Sequence, residues 1–285
     1  MLLENQSFKE ITPMSYDIVS LKKFIEKCGR TCYRSEGLIT DDSYINFYDN
    51  AIKQKHFSIL EHGTVYLSIR SFVALGFETY LFYKNNKYSK TILKGDDCFI
   101  TTNLRVIIEN NRIDDLRFMV AEPTYHVVRR TIELRTSIQV YKELTRHRSP
   151  SFCVESTRYC NYSSDKFNNS IRFLIPFWFK HKVENLKEFD TNEIEKLKDE
   201  FSPEEKAYLY QMIEAEDSYN IISEKLGPQA AAYVLPQSTM ATVVITADTE
   251  EWNHIFALRA FGETGTPHPD TKNLMLTIYN NNFKR

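Results

Sequence analysis

Glycine is scarce in this sequence. Eight occur among 285 residues, and none falls in a Gly-x-Gly-x-x-Gly or phosphate-loop spacing, which excludes a nucleotide site built on either common glycine turn. Long apolar runs are missing as well. No stretch approaches the roughly 20 residues that a membrane-crossing helix needs, and the N-terminus lacks the basic flank, apolar run and small-residue cleavage site of a secretory leader. The five cysteines, Cys28, Cys32, Cys98, Cys153 and Cys160, are an odd number, so a reducing, cytoplasmic setting is expected rather than a disulfide framework. Neither they nor the scattered histidines fall into a metal-ligand pattern, and no metal is expected. Charge of one sign is also lacking: 36 basic and 38 acidic residues leave a formal −2. No whole-protein field draws the chain to nucleic acid or an anionic membrane, so any anion binding must be local.

What is present suits a packed core, with 42% hydrophobic and 13% aromatic residues. Helices are expected over 16–30 and 41–55, the second opened by the polar cluster Thr40-Asp41-Asp42-Ser43, which can cap free backbone amides. Val65, Leu67 and Ile69 alternate with smaller or more polar residues, predicting a strand over 63–69. Residues 129–136 read as a strand and 137–146 as a short helix. Between them, 71–128 mixes aromatics, lysines and Asn-rich turns, and reads as an insertion within the same domain. The clearest helix is 203–226: Tyr208, Met212, Ala215, Tyr219, Ile222 and Leu226 share one face, Ser202 and Glu205 fit a capping box, and Gly227-Pro228 ends it. That face is expected to be core rather than a cofactor site. A buried strand over 239–246 and a helix over 249–261 close the pattern. The expectation is a single α+β domain over 1–285: a central, largely antiparallel twisted sheet flanked by helices, carrying the insertion.

The densest chemistry runs from Arg146 to Tyr162, where three arginines, several hydroxyls and two tyrosines surround a turn containing Pro150. Guanidinium groups offer permanently charged, bidentate donors suited to phosphate oxygens or a pyrimidine edge, and hydroxyls and turn amides can complete an anion nest. A solvated basic loop with Ser156 as a turn residue fits the composition equally well. Single-stranded RNA binding fits less well, since no basic track continues on either side.

Arg146-His147-Arg148, seven intervening residues and then Ser156 resembles the signature of the flavin-dependent thymidylate synthases, and Thr157-Arg158-Tyr159 extends it. Gly29 to Ser35, Ser58 to His62, Leu235-Pro236 and Trp252 to Arg259 are similar to further segments of that family, in order. The resemblance implies reductive methylation of dUMP to dTMP, with 5,10-methylenetetrahydrofolate as carbon donor, NADPH as reductant, FAD as cofactor and no cysteine nucleophile. It implies a homotetramer with shared active sites, acting on small molecules and not on nucleic acid or membranes.

By the same resemblance, Arg259 is the catalytic candidate, stabilising negative charge developing on the uracil. Glu143, Arg146, Val154, Glu155, Ser156, Thr157, Arg158 and Arg259 correspond to dUMP contacts. His62, Thr64, Arg146, His147, Arg148 and His254 correspond to flavin contacts. Ser156 is expected to orient the nucleotide, since no base and orienting partner for a serine nucleophile are evident. Bland roles compete: Arg259 as a cation near a helix C-terminus, His62 and His147 as buried hydrogen-bonded histidines, Thr64 as an ordinary strand residue.

Several positions depart from the family pattern. Asp248 and Glu250 stand where some members carry an Asn and an Arg beside the flavin, and would repel its pyrophosphate; Asn103 and Arg105 have the lost residue types at similar spacing. Ala232 replaces an Arg often found near the nucleotide phosphate, Glu143 a Gln, and Val154 a polar residue. Two rival functions remain at this stage: a flavoprotein making another C5-modified dUMP, and a non-catalytic nucleotide- or RNA-binding module.

Overall fold

The nine-residue strand Met240–Asp248, rich in β-branched residues, is the axis of the architecture. The structure is a computed structural model that describes residues 1–284 apart from 72, 74, 75, 168, 186 and 198; three of these, 72, 74 and 75, belong to the segment read as an insertion and so lie outside the described residues. In chain order, the first part comprises β1 (Leu2–Glu4), β2 (Ser7–Glu10), α1 (Ile18–Thr31), α2 (Ser43–Lys53) and β3 (Thr64–Ile69). There follow α3 (Phe77–Asn85), β4 (Lys90–Lys94), β5 (Asp97–Asn103), α4 (Leu104–Glu109), β6 (Arg129–Ser137), α5 (Ile138–Leu144) and β7 (Ser151–Val154). The remainder is β8 (Arg172–Leu174), β9 (Lys187–Glu188), α6 (Thr191–Lys196), α7 (Pro203–Leu226), α8 (Pro228–Ala231), β10 (Met240–Asp248), α9 (Thr249–Phe256) and α10 (Pro269–Ile278).

The class is α+β, as expected, but the sheet is partitioned. A four-stranded sheet of order β2-β6-β10-β7 is antiparallel throughout, and two three-stranded sheets, β8-β1-β9 and β3-β5-β4, lie apart from it. The segment 77–118 supplies two of the strands that pair around β3, so its residues and those of α1 share one apolar cluster.

Period-two alternation gives the central sheet two unlike faces. Ile132, Leu134, Val243, Ile245 and Ala247 pack against Trp252, Ile255 and Phe256 of α9 and Leu274, Met275 and Ile278 of α10. The opposite face carries Thr131, Thr246, Arg135 and Thr242, cross-strand neighbours in the β6–β10 register, with Val244 and Cys153 meeting Phe24 and Cys28 of α1. The sheet thus sets an apolar face against two helices and a threonine-rich face against one.

Capping explains the helix bounds. Asp17 accepts from the Val19 and Ser20 amides at the start of α1. At α2 the polar cluster works differently from the expectation: Asp42 makes no side-chain cap, and Ser43 Oγ instead accepts from Thr40 N–H and donates to Glu26. The capping box of α7 forms as expected between Ser202 and Glu205. Its apolar face enters a core cluster through Leu209, Met212 and Tyr219, whereas Leu226, expected on that face, is exposed in the last turn. The helix expected over 249–261 changes character at 257, where Ala257–Phe261 forms a π-turn.

Glu205 does more than cap. Its carboxylate also accepts from the Lys180 and His181 amides, tying an irregular segment to the helix start. Burial alone would raise its pKa, but the His181, Ser202 and Lys180 amides outweigh this and hold it below its ordinary value. The resulting stability is complete above the unfolded carboxylate pKa and disappears as pH falls through the lowered folded value. Glu205→Ala is expected to cost about 2–3 kcal/mol at pH 7, with a smaller difference from wild type below pH ~4. Urea unfolding at both pH values checks this; an equal difference at each would assign the loss to packing alone.

Candidate active site

Glu155 follows β7 directly, and its carboxylate is wholly buried. Oε2 accepts from Arg34 Nη1 at 3.0 Å, Arg135 Nη1 at 3.1 Å and the Thr242 amide at 3.0 Å, and Oε1 accepts from Tyr162 Oη at 3.1 Å. Both oxygens are engaged within the protein, so the carboxylate, expected among the substrate contacts, orders two guanidiniums and pins the loop. Val154 is likewise turned inward, into the apolar cluster under α9 and α10. Arg34 and Arg135 were not singled out as site residues because their partner lies over 120 residues from the first. Arg34 has φ 49°, a left-handed conformation unusual for arginine, which lets the chain turn at the end of α1 and face Glu155.

Beyond Glu155 the loop is held by its own backbone. Ser156 N–H donates to Cys32 O at 3.0 Å, and Ser156 Oγ accepts from Arg158 N–H at 3.3 Å. Among the described residues no histidine bonds to Ser156, whose hydroxyl instead closes the turn to Arg158. Thr157 is half-buried next to it. Arg158 is exposed; its Nε donates to Gln229 Oε1 at 2.7 Å and its guanidinium lies over Tyr159. Gln229, just past the start of α8, is thus a neighbour that the spacing did not indicate.

At the other end of β7, Arg146 and Arg148 are exposed and make no hydrogen bond or ion pair among the described residues. His147 between them is buried. Its Nε2 accepts from Arg259 Nε at 3.4 Å, its Nδ1 lies 3.6 Å from Glu251 and its ring meets His254 edge to face. Burial, then the charges of Arg259 and His254, push its pKa down to about 4, so it is neutral near pH 7 and can accept that bond. Arg259 Nη1 also lies 3.7 Å from Glu143 Oε2, a buried oxygen with no hydrogen bond. The structure thus brings Glu143, His147, His254 and Arg259 together from two distant parts of the chain. His147, Glu251 and His254 could each offer a metal-ligand atom, all within 4.8 Å of one another. The adjoining Arg259 cation opposes a metal there.

A polar cavity of about 200 Å³ opens beside this cluster, lined among others by Arg105, Asn103, Lys90, Arg129, Asp248 and Glu251. Arg129 is the group sequence reading missed. Its buried guanidinium donates to Glu61 O, Thr64 Oγ1 and Ser151 Oγ, all uncharged acceptors, and burial lowers its pKa. A buried cation hydrogen-bonded only to neutral groups is an attractive site for an anion. His62, expected among the flavin contacts, is fully buried; its Nδ1 meets Thr246 Oγ1 at 2.8 Å, and burial and Arg129 hold its pKa near 3. Thr64 is also buried, acting through Arg129.

The acids at 248 and 250 are less repulsive than their charges suggest. Asp248 caps α9 by accepting from Glu251 N–H, and Lys90 Nζ lies 2.6 Å from Glu250 and 3.9 Å from Asp248. Asn103 caps α4 through Val106 N–H, and Arg105 pairs with Glu61 and Glu109. Asn103, Arg105 and Asp248 nevertheless line one cavity, so the types lost at one wall stand on another.

Residues 110–281, more than half of the chain, match the family model described as thymidylate synthase complementing protein. A probable flavin-dependent thymidylate synthase of Paramecium bursaria Chlorella virus 1 is 28% identical over 154 residues, 54% of this chain and 67% of that protein. Among solved structures, the UMP/dUMP methylase PolB from Streptomyces cacaoi, bound with 5-Br dUMP, aligns over 98% of this chain and 91% of its own, with 13% identity and TM-score 0.44. Thymidylate synthase X from Helicobacter pylori, with FAD and dUMP, aligns over 96% and 92%, with 13% identity and TM-score 0.39. On the sequence match, this chain belongs to the flavin-dependent thymidylate synthase family.

The His147–Arg259 contact has a direct spectroscopic consequence. Replacing Arg259 with Met removes one of the charges that depress the imidazole, so the His147 pKa rises from about 4 while burial keeps it below its ordinary value. Ring-proton NMR titration checks this; an unchanged value would separate the two side chains in solution.

Proposed function

We propose that this protein reductively methylates dUMP to dTMP with 5,10-methylenetetrahydrofolate and NADPH, using FAD and no cysteine nucleophile. The observation that carries the proposal is Arg259, delivered from the end of α9 onto a neutral His147 between two unpaired arginines. Bound flavin, re-reduced by NADPH, supplies the hydride while the folate supplies the carbon. The buried Arg129 guanidinium and the exposed Arg146 and Arg148 suit the negative charge of such a cofactor.

The protein's own work is positioning and charge stabilisation. Arg259 stabilises negative charge on the uracil as N3 loses its proton, which enriches C5 in electrons. Neutral His147 holds that guanidinium without competing for the anion. Arg158 and the Ser156–Thr157 turn hold the nucleotide. Two thiols of this stretch are poor nucleophiles: burial raises the Cys160 pKa to about 12, and Cys153, beside Cys32 and buried, is raised as well. Within one chain, the Arg146–Arg148 and Ser156–Arg158 ends are separated by β7, about 13 Å at ordinary strand rise. That separation supports sites completed by neighbouring subunits of a homotetramer, acting on small molecules in the cytoplasm.

Purified protein supplied with FAD, dUMP, methylenetetrahydrofolate and NADPH is expected to yield dTMP by mass spectrometry. A hydroxymethylated or otherwise altered nucleotide would overturn the product assignment, and protein that neither binds flavin nor oxidises NADPH would leave a binding module. Arg259→Ala is expected to lower kcat by about 100-fold or more, whereas Cys153→Ala and Cys160→Ala retain synthesis. Arg158→Ala is expected to weaken dUMP binding by about 1.5–3 kcal/mol, read by calorimetric titration; equal affinity would remove it from the nucleotide site.

A further inference from the structure

Most carboxylates around the site are engaged. Both oxygens of Glu155 accept hydrogen bonds, Asp248 caps α9, and Glu61 and Glu109 hold Arg105. Glu143 differs: among the described residues it accepts no hydrogen bond, and its Oε2 is buried without a partner. It stands in the last turn of α5, whose Val140 and Leu144 are fixed in the core. The negative end of a helix dipole disfavours an anion at that position, and a buried acceptor left unpaired is costly. Nearby cations do not relieve it. Lys142 Nζ donates to Gln237 at 3.0 Å, and Arg146, three residues on, makes no ion pair among the described residues. Arg259 Nη1 stops 3.7 Å from Oε2, beyond hydrogen-bond distance. With 21% of its side chain exposed, Glu143 reaches the same space as Arg259, itself 22% exposed.

We propose that Glu143 reads the 2′-hydroxyl of a ribonucleotide, so that the site binds and methylates UMP as well as dUMP. This rests on the proposed function, in which Arg259 meets the uracil edge at N3. Next to N3 on that ring is the O2 carbonyl, and beside O2 lies the 2′ position of the sugar. A guanidinium on that edge and an acceptor 3.7 Å from it therefore face a carbonyl and, in a ribonucleotide only, a hydroxyl donor. A carboxylate suits that donor. It accepts and has nothing to donate, its charge strengthens an O–H···O⁻ bond, and acidic residues hold ribose hydroxyls of dinucleotides for the same reason. With dUMP bound, Glu143 stays unpaired as it is in the free protein, so the deoxynucleotide is accepted without that bond. The reacting part of the nucleotide is the same in both. The C5–H bond breaks and a C5–C bond forms to the folate methylene. Both C–N bonds of that carbon break, and their nitrogens take up two protons, one balancing the proton lost from C5 and one from solvent. A hydride from NADPH, delivered through the flavin, completes the methyl group, giving 5-methyl-UMP, tetrahydrofolate and NADP⁺.

Calorimetric titration of the full chain, supplied with FAD, compares UMP, dUMP and 2′-deoxy-2′-fluoro-UMP, which fills the 2′ position without a donor. UMP is expected to bind on the order of tenfold more tightly than dUMP, the equivalent of one hydrogen bond to a charged group, and the fluoro-nucleotide no more tightly than dUMP. In Glu143→Ala the ratio of UMP to dUMP affinity should fall to about one; in Glu143→Gln, whose amide oxygen still accepts, it should lie between. Equimolar UMP and dUMP, competing in the presence of methylenetetrahydrofolate and NADPH, should yield 5-methyl-UMP beside dTMP by mass spectrometry. Wild-type protein that binds UMP no better than dUMP, or the fluoro-nucleotide as well as UMP, overturns the hydroxyl contact without recourse to a variant. An unchanged ratio in Glu143→Ala removes Glu143 from it. A chain that makes dTMP but no 5-methyl-UMP overturns the wider substrate range and leaves the proposed function standing. A chain that shows this binding pattern yet turns over neither nucleotide sinks the proposed function and leaves the contact standing.

Discussion

The buried carboxylate of Glu155 is the point through which the site is assembled. Arg34 comes from the end of α1, Arg135 from β6, the Thr242 amide from β10 and the Tyr162 hydroxyl from the far side of the loop. Arg135 also meets Glu4 at 3.1 Å and Arg34 meets Glu36 at 3.6 Å, so the charges balance, and both Glu155 oxygens are hydrogen-bonded, the condition under which a buried ionic group is tolerated. Losing one partner from such an arrangement typically costs about 3–5 kcal/mol, because the remaining charge is left uncompensated. Tyr162 passes the constraint on: its amide donates to Tyr219 Oη on α7. One side chain therefore fixes the loop relative to both the central sheet and the long helix.

Around that anchor, charge is graded from paired to unpaired. Arg34 and Arg135 are neutralised in place, Arg158 is held by an amide, Arg259 faces a neutral imidazole with a carboxylate slightly beyond hydrogen-bond range, and Arg146 and Arg148 are open. A chain of formal charge −2 can thus concentrate anion-binding capacity at one place without a global field. His147 is important because it is neutral. A protonated imidazole there would push Arg259 away; burial prevents this across the physiological range.

Local patterns were legible in the sequence where one principle dominated. The β-branched run at 240–248, the alternation at 64–69 and the capping box of 203–226 are short-range signals, and they form as read. The partition into three sheets was not legible, because strand pairing depends on contacts between β3 and β5 or β1 and β8 that no local period encodes. At the site, the motif identified Arg259 and the loop, but individual side chains followed burial. Glu155 and His62 are buried among protein groups, and Val154 packs, part-buried, against the core. Arg129 and Gln229 became site neighbours through tertiary packing alone.

The position of Arg259 follows from a local irregularity of the fold. Asp248 fixes the start of α9 and Trp252, Ile255 and Phe256 fix its rotation, since all three are buried. Every later side chain would then be placed by the helical period. The π-turn over Ala257–Phe261 breaks that period, re-aiming Arg259 toward His147 while Ala260 stays in the core; such turns recur at functional sites for this reason. The chain must then leave sharply, and Gly262 supplies φ 72°, in a place where a Cβ would lie 3.1 Å from the Gly265 carbonyl oxygen. In a chain of eight glycines, this one is spent on ending the turn that carries the arginine. The scarcity of glycine that excludes a glycine-loop nucleotide site is therefore consistent with a site built from arginines, held by a buried carboxylate and one re-aimed helical turn.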